Sequence, residues 1–230
     1  MLTKKMAFTY FITVILIFNS GWIDSVVLYN SFGASVAVMS GNLRILGHSI
    51  AGFDWLFVYK VAILVFGFVV GAAVNGVIMK TDAYVISEDH TKTLVLQSAV
   101  MLTGTLLIDI FSNHRVIDDL FLAVAMGMQN SFTTIFFGGL ARTTHMTGTA
   151  TDFGIEIGRV LRGDRSNVWK IPFFATCMTM FVIGNAVGFA WVRISGEHFT
   201  LMLFPSVILP IFVGIVILIT YNMKIKNHSL

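Results

Sequence analysis

Polar residues inside strongly apolar stretches are the residues of this sequence that could carry chemistry. Asp24 is the only acidic residue well inside the first apolar stretch, Met6–Tyr29. A carboxylate at membrane depth is unfavourable by several kcal/mol unless it is paired, hydrated or protonated. We interpret Asp24 and its neighbour Ser25 in two ways. They form a site for a proton, a cation or a polar solute, or Asp24 lies near the membrane face and caps a following helix.

A set of glycine and polar residues occurs twice in the same order. The first copy contains Gly21-Trp22-Ile23-Asp24-Ser25, Phe32-Gly33 and Met39-Ser40-Gly41-Asn42. The second copy contains Gly127-Met128-Gln129-Asn130-Ser131, Phe137-Gly138-Gly139 and His145-Met146-Thr147-Gly148-Thr149. Matching residues lie 106 or 107 positions apart. We interpret this pattern as an internal duplication; chance self-alignment of a glycine-rich apolar chain is the alternative.

Each copy ends in a hydroxyl residue, a glycine and a polar residue. Gly41 and Gly148 could let the backbone leave a regular helix, and Asn42 and Thr147 could cap the next helix start. A helix that starts at membrane depth directs free N–H groups and a positive dipole end at the interior, which favours an anion or a partial negative charge. A close helix crossing built from small residues is the alternative.

Asn130 stands in the second copy where the first has Asp24, and a second amide, Gln129, lies beside it. They could bind a solute or an ion, or could only join neighbouring helices. His145 has no histidine counterpart and is either an ordinary hydrogen-bonding residue or a proton carrier. The candidate binding residues are Asp24, Ser25, Gly41, Asn42, Gln129, Asn130, His145, Thr147 and Gly148.

Two further glycine pairs match each other in later stretches, Gly67 and Gly71 with Gly184 and Gly188. Their four-residue spacing is typical of close helix packing in membranes. Asp152, Glu156 and Arg159 are expected to form a solvated cytoplasmic face.

Other chemistries are not indicated by the sequence. The six histidines have no metal-ligand spacing, and the single Cys177 excludes an internal disulfide. Hydrolase, zinc-protease and phosphate-loop motifs are missing from the sequence. Cations cluster at the ends of apolar stretches rather than alternating with aromatic residues, which argues against nucleic-acid binding. We therefore expect no enzymatic activity, no cofactor and no metal.

The elements that must position these residues are membrane helices. Of 230 residues, 56% are hydrophobic and 12% charged, whereas soluble domains have about 45–50% and about 25%. Six stretches are long enough to cross about 30 Å of hydrocarbon. They are Met6–Tyr29, Trp55–Met79, Thr93–Phe111, Leu120–Leu140, Ile171–Trp191 and Leu201–Tyr221. Segments 34–52 and 141–160 either cross the membrane or re-enter it.

The predicted fold is all-α, a polytopic membrane helix bundle in one domain, 1–230. Its two pseudo-symmetric halves, about 6–111 and about 118–222, each have three spans and a short broken or re-entrant helix. Three spans per half would insert the second half upside down, whereas four would make the halves parallel. Placing both termini and segments 80–92 and 141–170 in the cytoplasm puts eleven of the fifteen Lys and Arg there, which favours inversion in the cell membrane.

The repeated motifs resemble those of the YoaK-like family of small bacterial inner-membrane proteins, which carry a domain of unknown function. The residues are Gly-x-x-Asp24-Ser25 with Met39-Ser40-Gly41-Asn42, and Ala125–Ser131 with Thr143–Gly148. The family usually has Met-Thr-Gly-Asn in the first motif and more often Val where this chain has Met146. The resemblance covers about residues 8–220 and implies a multi-span protein without an established substrate or catalytic residue.

These observations predict a small secondary transporter or permease for a polar solute, coupled to protons or cations if Asp24 titrates. Its partners would be the lipid bilayer and that solute, and homo-oligomerisation is left open. The alternative is a non-transporting membrane scaffold or sensor that acts through helix packing. Transport requires the two helix breaks to meet around a polar cavity at mid-membrane, whereas a scaffold would place them at opposite surfaces in dry packing.

Overall fold

The computed structural model describes residues 4–30, 33–80, 83–110, 115–195 and 199–228. These residues form eight α-helices and no strand, so the all-α class is confirmed. The helices are α1 (Lys4–Asn30), α2 (Met39–Ala51), α3 (Trp55–Ile78), α4 (Glu88–Ile110), α5 (Arg115–Phe136), α6 (Met146–Leu161), α7 (Lys170–Ser195) and α8 (Phe199–His228). Phe32 of the first motif and the predicted span end at Phe111 lie outside the described residues.

Six of the helices are long, and each contains most of one predicted apolar stretch. By length and composition, α1, α3, α7 and α8 are able to cross a membrane. Helices α4 and α5 have 23 and 22 residues but are more polar. Their buried faces carry Thr93, Gln97 and Gln129, which contact protein rather than lipid. The fold is therefore a polytopic helix bundle.

The two short helices explain the ambiguous segments of the sequence. Helix α2 has 13 residues and α6 has 16. At about 1.5 Å per residue they are about 20 and about 24 Å long, which is less than the about 30 Å of a hydrocarbon core. Neither helix can cross a bilayer. Helix α2 packs on α3, and α6 packs on α7.

Four helices form the centre of the bundle. Helices α1 and α4 each pack against both α5 and α8, while α3 and α7 lie outside them. One apolar cluster of this core includes Ile23, Leu122 and Met126, and a second includes Leu94 and Phe132. A polar layer lies between helices α1, α4, α5 and α8, as described below.

Glycines make the two closest helix crossings, α1 with α7 and α3 with α5. A methyl group on Gly127 would overlap the carbonyl oxygen of Phe68, and one on Gly71 would overlap that of Val124. In the other crossing, a methyl group on Gly184 would overlap the carbonyl oxygen of Phe18. The bare backbones allow the helix axes to approach closely, as small residues do in membrane bundles.

All four glycines predicted for packing lie at these crossings, in a register that differs from the sequence alignment. Gly67 lies against Leu120, and Gly188 against the backbone of Trp22. Gly71 lies against the carbonyl of Val124 in the crossing of α3 with α5, and Gly184 lies in the same way against the carbonyl of Phe18 in the crossing of α7 with α1. The sequence alignment instead pairs Gly184 with Gly67. The difference of four residues is about one helical turn.

Candidate functional site

The loop before α2 is held by side chains of the first motif. The Ser35 hydroxyl accepts hydrogen bonds from the N–H groups of Ala37 at 2.9 Å and Val38 at 2.7 Å, and it donates to the Asp24 carboxylate. The Asn42 side chain accepts from the Ser35 N–H at 3.0 Å and donates to the Ser35 carbonyl. Asp24 and Asn42 therefore fix the position at which α2 begins.

The loop before α6 is anchored in a similar way by the second motif. Asn130 Oδ1 accepts from the Thr143 hydroxyl at 3.4 Å and from the Thr144 N–H and hydroxyl, both at 3.3 Å. The Tyr84 hydroxyl donates to the Phe137 carbonyl at 3.2 Å, at the end of the preceding helix. Burial raises the pKa of Tyr84, so it keeps this proton at neutral pH.

The helix breaks lie earlier than the sequence suggested. Gly33, Gly138 and Gly139 have φ values of +86°, +62° and +79°, which glycine adopts most easily. The prediction that Gly41 and Gly148 produce the breaks is wrong, because each is the third residue of its helix. Neither α2 nor α6 has a side-chain cap at its first position, so capping by Asn42 or Thr147 is not observed.

Gly148 instead makes room for a ring. A methyl group at this position would lie 2.6 Å from Cε1 of His145, the residue that precedes α6. The bare backbone lets the imidazole fold over the first turn of the helix. Gly41, by contrast, has only Val38 within 4.0 Å.

A cavity of about 210 Å³ lies where the two short helices begin. Its lining residues are Ala37, Met39, Ser40, Phe68, Asn130, Arg142, Thr144 and His145. Phe68 lies near the middle of the 24-residue helix α3, so the cavity lies at mid-depth of a membrane-length helix. The first turn of α2 reaches this cavity, together with His145, the residue that precedes α6. First turns of helices carry N–H groups without helical partners and a positive dipole end.

A second cavity of about 360 Å³ adjoins the first and shares Arg142 and His145 with it. Its lining residues are Gly139, Leu140, Arg142, His145, Thr147, Gly148, Thr149, Thr151 and Asp152. Arg142 forms no ion pair with any described residue, and its Nη1 lies 3.4 Å from His145 Nδ1. The larger cavity is mainly polar and the smaller one mainly apolar, and the guanidinium group of Arg142 lies in the wall of both.

Gln129 lies in a different environment from its neighbour Asn130. Gln129 Oε1 accepts from Asn19 Nδ2 at 3.0 Å and from Gln97 Nε2 at 2.7 Å. Its Nε2 donates to the Leu16 carbonyl at 2.9 Å and to the Ser20 hydroxyl at 2.6 Å. The amide is fully buried and all four of its hydrogen bonds are made, so it joins α1, α4 and α5.

Prolines in α8 supply two further acceptors. Pro205 and Pro210 have no N–H and leave the carbonyls four residues earlier without a helical donor. The first, at Leu201, accepts from Trp191 Nε1 at 3.1 Å. The second, at Ser206, accepts from Asn19 Nδ2 at 3.4 Å, which connects α8 to the Gln129 network.

The structure separates the predicted binding residues into three groups. Asn130, His145, Thr147 and Gly148 line the cavities. Asp24 and Asn42 hold the loop that leads into the smaller cavity, with Gly41 in the helix that follows. Gln129 belongs to the central network, and Ser25 is buried and lines neither cavity.

Several residues of the site were not predicted. Ser40 and Thr144 flank predicted residues within the motifs, so the repeat itself pointed to them. Arg142 follows an apolar stretch, and this position suggested only a topology signal. Asn19 and Ser20 directly precede the first motif and carried no separate signal, because single polar residues are common in membrane helices.

Glu156 is not part of a solvated face, contrary to the expectation. Its side chain is buried, and Oε1 lies 2.8 Å from Arg159 Nη1 and 3.7 Å from Lys170 Nζ. A buried carboxylate requires such partners, because desolvation alone would make its charge very unfavourable. The pair with Lys170 fastens α6 to the start of α7, while the pair with Arg159 lies within α6.

Comparison with known proteins identifies the family. Residues 12–215 match the family described as "Protein of unknown function (DUF1275)". The chain belongs to this family. A domain of unknown function is what the motif resemblance implied. No curated protein and no solved structure matches the chain.

Proposed function

We propose that this DUF1275 protein is a small secondary transporter or permease, and that its solute passes through the adjoining cavities at the starts of α2 and α6. The observation that carries the proposal is the pair of adjoining cavities, which share Arg142 and His145: the first turn of α2 and Asn130 line the smaller one, and the first turn of α6 lines the larger one. Half-length helices that begin at a cavity at mid-depth are typical of transporter binding sites. The name YoaK-like for the family stays a prediction.

The charges at the cavity favour a solute that carries a negative charge or a strong partial negative charge. Arg142 contributes a cation to both cavities, and the start of α2 at the smaller cavity and that of α6 at the larger one contribute positive dipole ends and N–H donors. Among the residues that the structure describes, Asp152, in the larger cavity, is the only acidic one that lines either cavity. A cation would therefore be repelled by the net positive charge at the smaller cavity.

The helix packing supports an internal repeat. When α1–α4 are matched in order with α5–α8, the contact of α1 with α7 corresponds to the contact of α5 with α3. In the same way, the contact of α6 with α7 corresponds to the contact of α2 with α3. Because α2 and α6 are too short to cross, each half has three spans, and an odd number inverts the second half. Inverted repeats permit alternating access by rocking one half against the other.

The location proposed is the cell membrane, with both termini in the cytoplasm. This orientation keeps eleven of the fifteen Lys and Arg on the cytoplasmic side.

Asp24 is proposed as the coupling residue. Its carboxylate receives a hydrogen bond from Ser35, whose hydroxyl also holds the loop before α2. Protonation would weaken the charge-assisted bond and loosen the helix start that faces the cavity. A change of charge at Asp24 would thus alter the shape of the path.

The test is solute flux into proteoliposomes that contain the full-length protein. The probes are chloride, nitrate, phosphate, acetate and lactate as potassium salts, urea and glycerol as neutral solutes, and methylammonium as a cation. We expect at least one anion to enter faster than into protein-free vesicles, and Arg142→Gln to lower that flux by about tenfold, a loss of about 1.4 kcal/mol. Arg162→Gln, at an exposed arginine outside the cavity, is the matched control.

The same vesicles test the role of Asp24. With Asp24→Asn, we expect the flux to lose its dependence on a pH gradient. Unchanged gradient dependence would remove Asp24 from the mechanism. If none of the probes crosses, transport of small anions is excluded.

A non-transporting scaffold or sensor is the second candidate, and the Gln129 network favours it. Because every hydrogen bond of Gln129 goes to protein, its role in the bundle is to join helices rather than to contact a solute. For a scaffold, substitutions at the glycine crossings would abolish function, while Arg142→Gln would have no effect.

A further inference from the structure

The core between α1, α4, α5 and α8 contains buried polar atoms that the Gln129 network does not use. They have no hydrogen-bond partner among the described residues, and their side chains are almost completely buried. They are Thr13 Oγ1, His90 Nε2, Thr93 Oγ1, Gln97 Oε1, Ser98 Oγ and Ser206 Oγ. All six belong to α1, α4 and α8, three of the four central helices.

The threonines lie on one side of the Gln129 network. Thr93 precedes Gln97 by about one turn on α4, and Thr133 follows Gln129 by about one turn on α5. The apolar cluster on this side contains residues next to Thr13, Thr93 and Thr133 in sequence, which are Ile12, Leu94 and Phe132. The three hydroxyl residues are therefore at a similar level in the bundle.

His90 extends this row toward the start of α4. Its Nδ1 lies 2.9 Å from the Ser87 hydroxyl, so Nε2 is the free nitrogen. The ring packs against Phe132 and Phe136, with centroids 5.6 and 4.6 Å away. Nε2 is thus enclosed within the bundle.

Ser98 directly follows Gln97 on α4, and the Ser206 carbonyl accepts from Asn19, so both serines lie at the level of the Gln129 network. Thr91 bonds to the carbonyl of Gly214 at 3.0 Å, and Thr200 bonds to that of Thr105 at 3.2 Å. These two contacts set α4 and α8 antiparallel, and they bring Ser98 and Ser206 to about the same level. From His90 to Ser98 the helix rises about 12 Å.

Polar atoms enclosed in a low-dielectric core are strongly unfavourable without partners, and native proteins contain few of them. Here six occur in one core, beside the fully bonded side-chain amide of Gln129. A buried water molecule satisfies two to four such atoms at once. We propose that this core binds water molecules at these atoms, from His90 to the level of Gln97, Ser98 and Ser206, separate from the cavity at α2 and α6.

Isosteric substitution of the threonines distinguishes bound water from a dry core. If Thr13 and Thr93 are dry, Thr13→Val and Thr93→Val remove unsatisfied hydroxyls and raise the thermal unfolding midpoint. If they bind water, both variants remove a partner of that water and lower the midpoint by several degrees. Thr103→Val is the control, because this exposed hydroxyl on α4 donates to its own helix at Ala99.

Radiolytic hydroxyl-radical labelling of the full-length protein in nanodiscs gives a second readout. Bound water produces radicals next to buried side chains, so we expect label on Leu94 and Phe132 despite their burial. Phe173, equally buried in another cluster, should stay unlabelled. Lower midpoints in the valine variants with wild-type label at Leu94 and Phe132 support the proposal. A raised or unchanged midpoint, or no label at these residues in the wild type, overturns it. If the valine variants do not fold, the wild-type labelling decides.

Discussion

Two adjacent amides on α5 have different surroundings because successive residues on a helix point about 100° apart. Gln129 faces the centre of the bundle, where Asn19, Ser20 and Gln97 surround it. Asn130 faces the loop before α6 and the smaller cavity. Substitutions at these neighbours should therefore affect different properties of the protein.

We predict that Gln129→Leu destabilises the fold, whereas Asn130→Leu mainly impairs flux. Leucine at 129 leaves the amides of Asn19 and Gln97 buried without their shared acceptor. The expected loss is about 2–4 kcal/mol of unfolding free energy, from several buried hydrogen bonds. Leucine at 130 removes only long hydrogen bonds to a loop, so we expect a loss below about 1 kcal/mol.

The measurement is denaturation by sodium dodecyl sulfate in mixed micelles, monitored by tryptophan fluorescence, together with flux in proteoliposomes. Equal stability losses in the two variants would contradict the separate roles of the residues. Wild-type flux in Asn130→Leu would remove this residue from the solute path.

At the level of single residues, the sequence indicated which positions belong to the candidate site but not which role each residue has there. Asn130, His145 and Thr147, which the motifs singled out, line the cavities where the short helices begin. The repeat could not separate Gln129 from Asn130, because that depends on which helices surround α5. From the sequence, Arg142 indicated only the orientation of the chain in the membrane. Its side chain reaches the cavity because of the fold of the loop before α6, which the sequence did not predict.

Two short helices and two glycine crossings determine the architecture at the level of the elements. Hydropathy predicted the long helices, because lipid imposes length and apolarity on each of them. It could not predict the exact breaks, since Gly33, Gly138 and Gly139 lie among several other glycines. The positive φ values that identify the breaks are properties of the folded loops, which hydropathy does not encode.

We predict that Gly71→Ala destabilises the protein by about 1–3 kcal/mol, as overpacking does in a dense interior. The added methyl group would overlap the backbone of Val124 and push α3 away from α5. Gly76→Ala on the same helix is the matched control, because nothing lies within 4 Å of a methyl group there. This control should be neutral or slightly stabilising, since alanine is the better helix former.

The measurement is the midpoint of thermal unfolding in detergent for both glycine variants. A crossing that tolerates alanine at Gly71 would show that the two backbones are not in close contact. Such a result would also remove the structural basis for matching Gly71 with Gly184.

At the level of the whole molecule, the two halves are interleaved rather than side by side. Helix α3 packs on α5 of the second half, and α7 packs on α1 of the first. Self-alignment of the sequence predicted the duplication. It could not predict that α3 packs on α5 and α7 on α1, because the order of helices along the chain does not specify their neighbours. This packing brings the starts of α2 and α6 to adjoining cavities.

The repeat symmetry makes a prediction about the two turns that follow the short helices. In an inverted arrangement, the ends of α2 and α6 face opposite sides of the membrane, whereas parallel halves would place both in the cytoplasm. Ala51, at the end of α2, and Ser166, in the turn before α7, are both exposed. Cys177, the only native thiol, is replaced by alanine so that each introduced cysteine is unique.

We expect an impermeant maleimide to label Ala51→Cys on intact cells, and to label Ser166→Cys only after permeabilisation. Lys224→Cys, near the end of α8, is the cytoplasmic reference. Labelling of both turns only after permeabilisation would establish parallel halves and contradict the inverted repeat. Labelling of Ser166→Cys but not of Ala51→Cys on intact cells would be consistent with inverted halves in the opposite orientation. The distribution of Lys and Arg would then have predicted the wrong side as the cytoplasm.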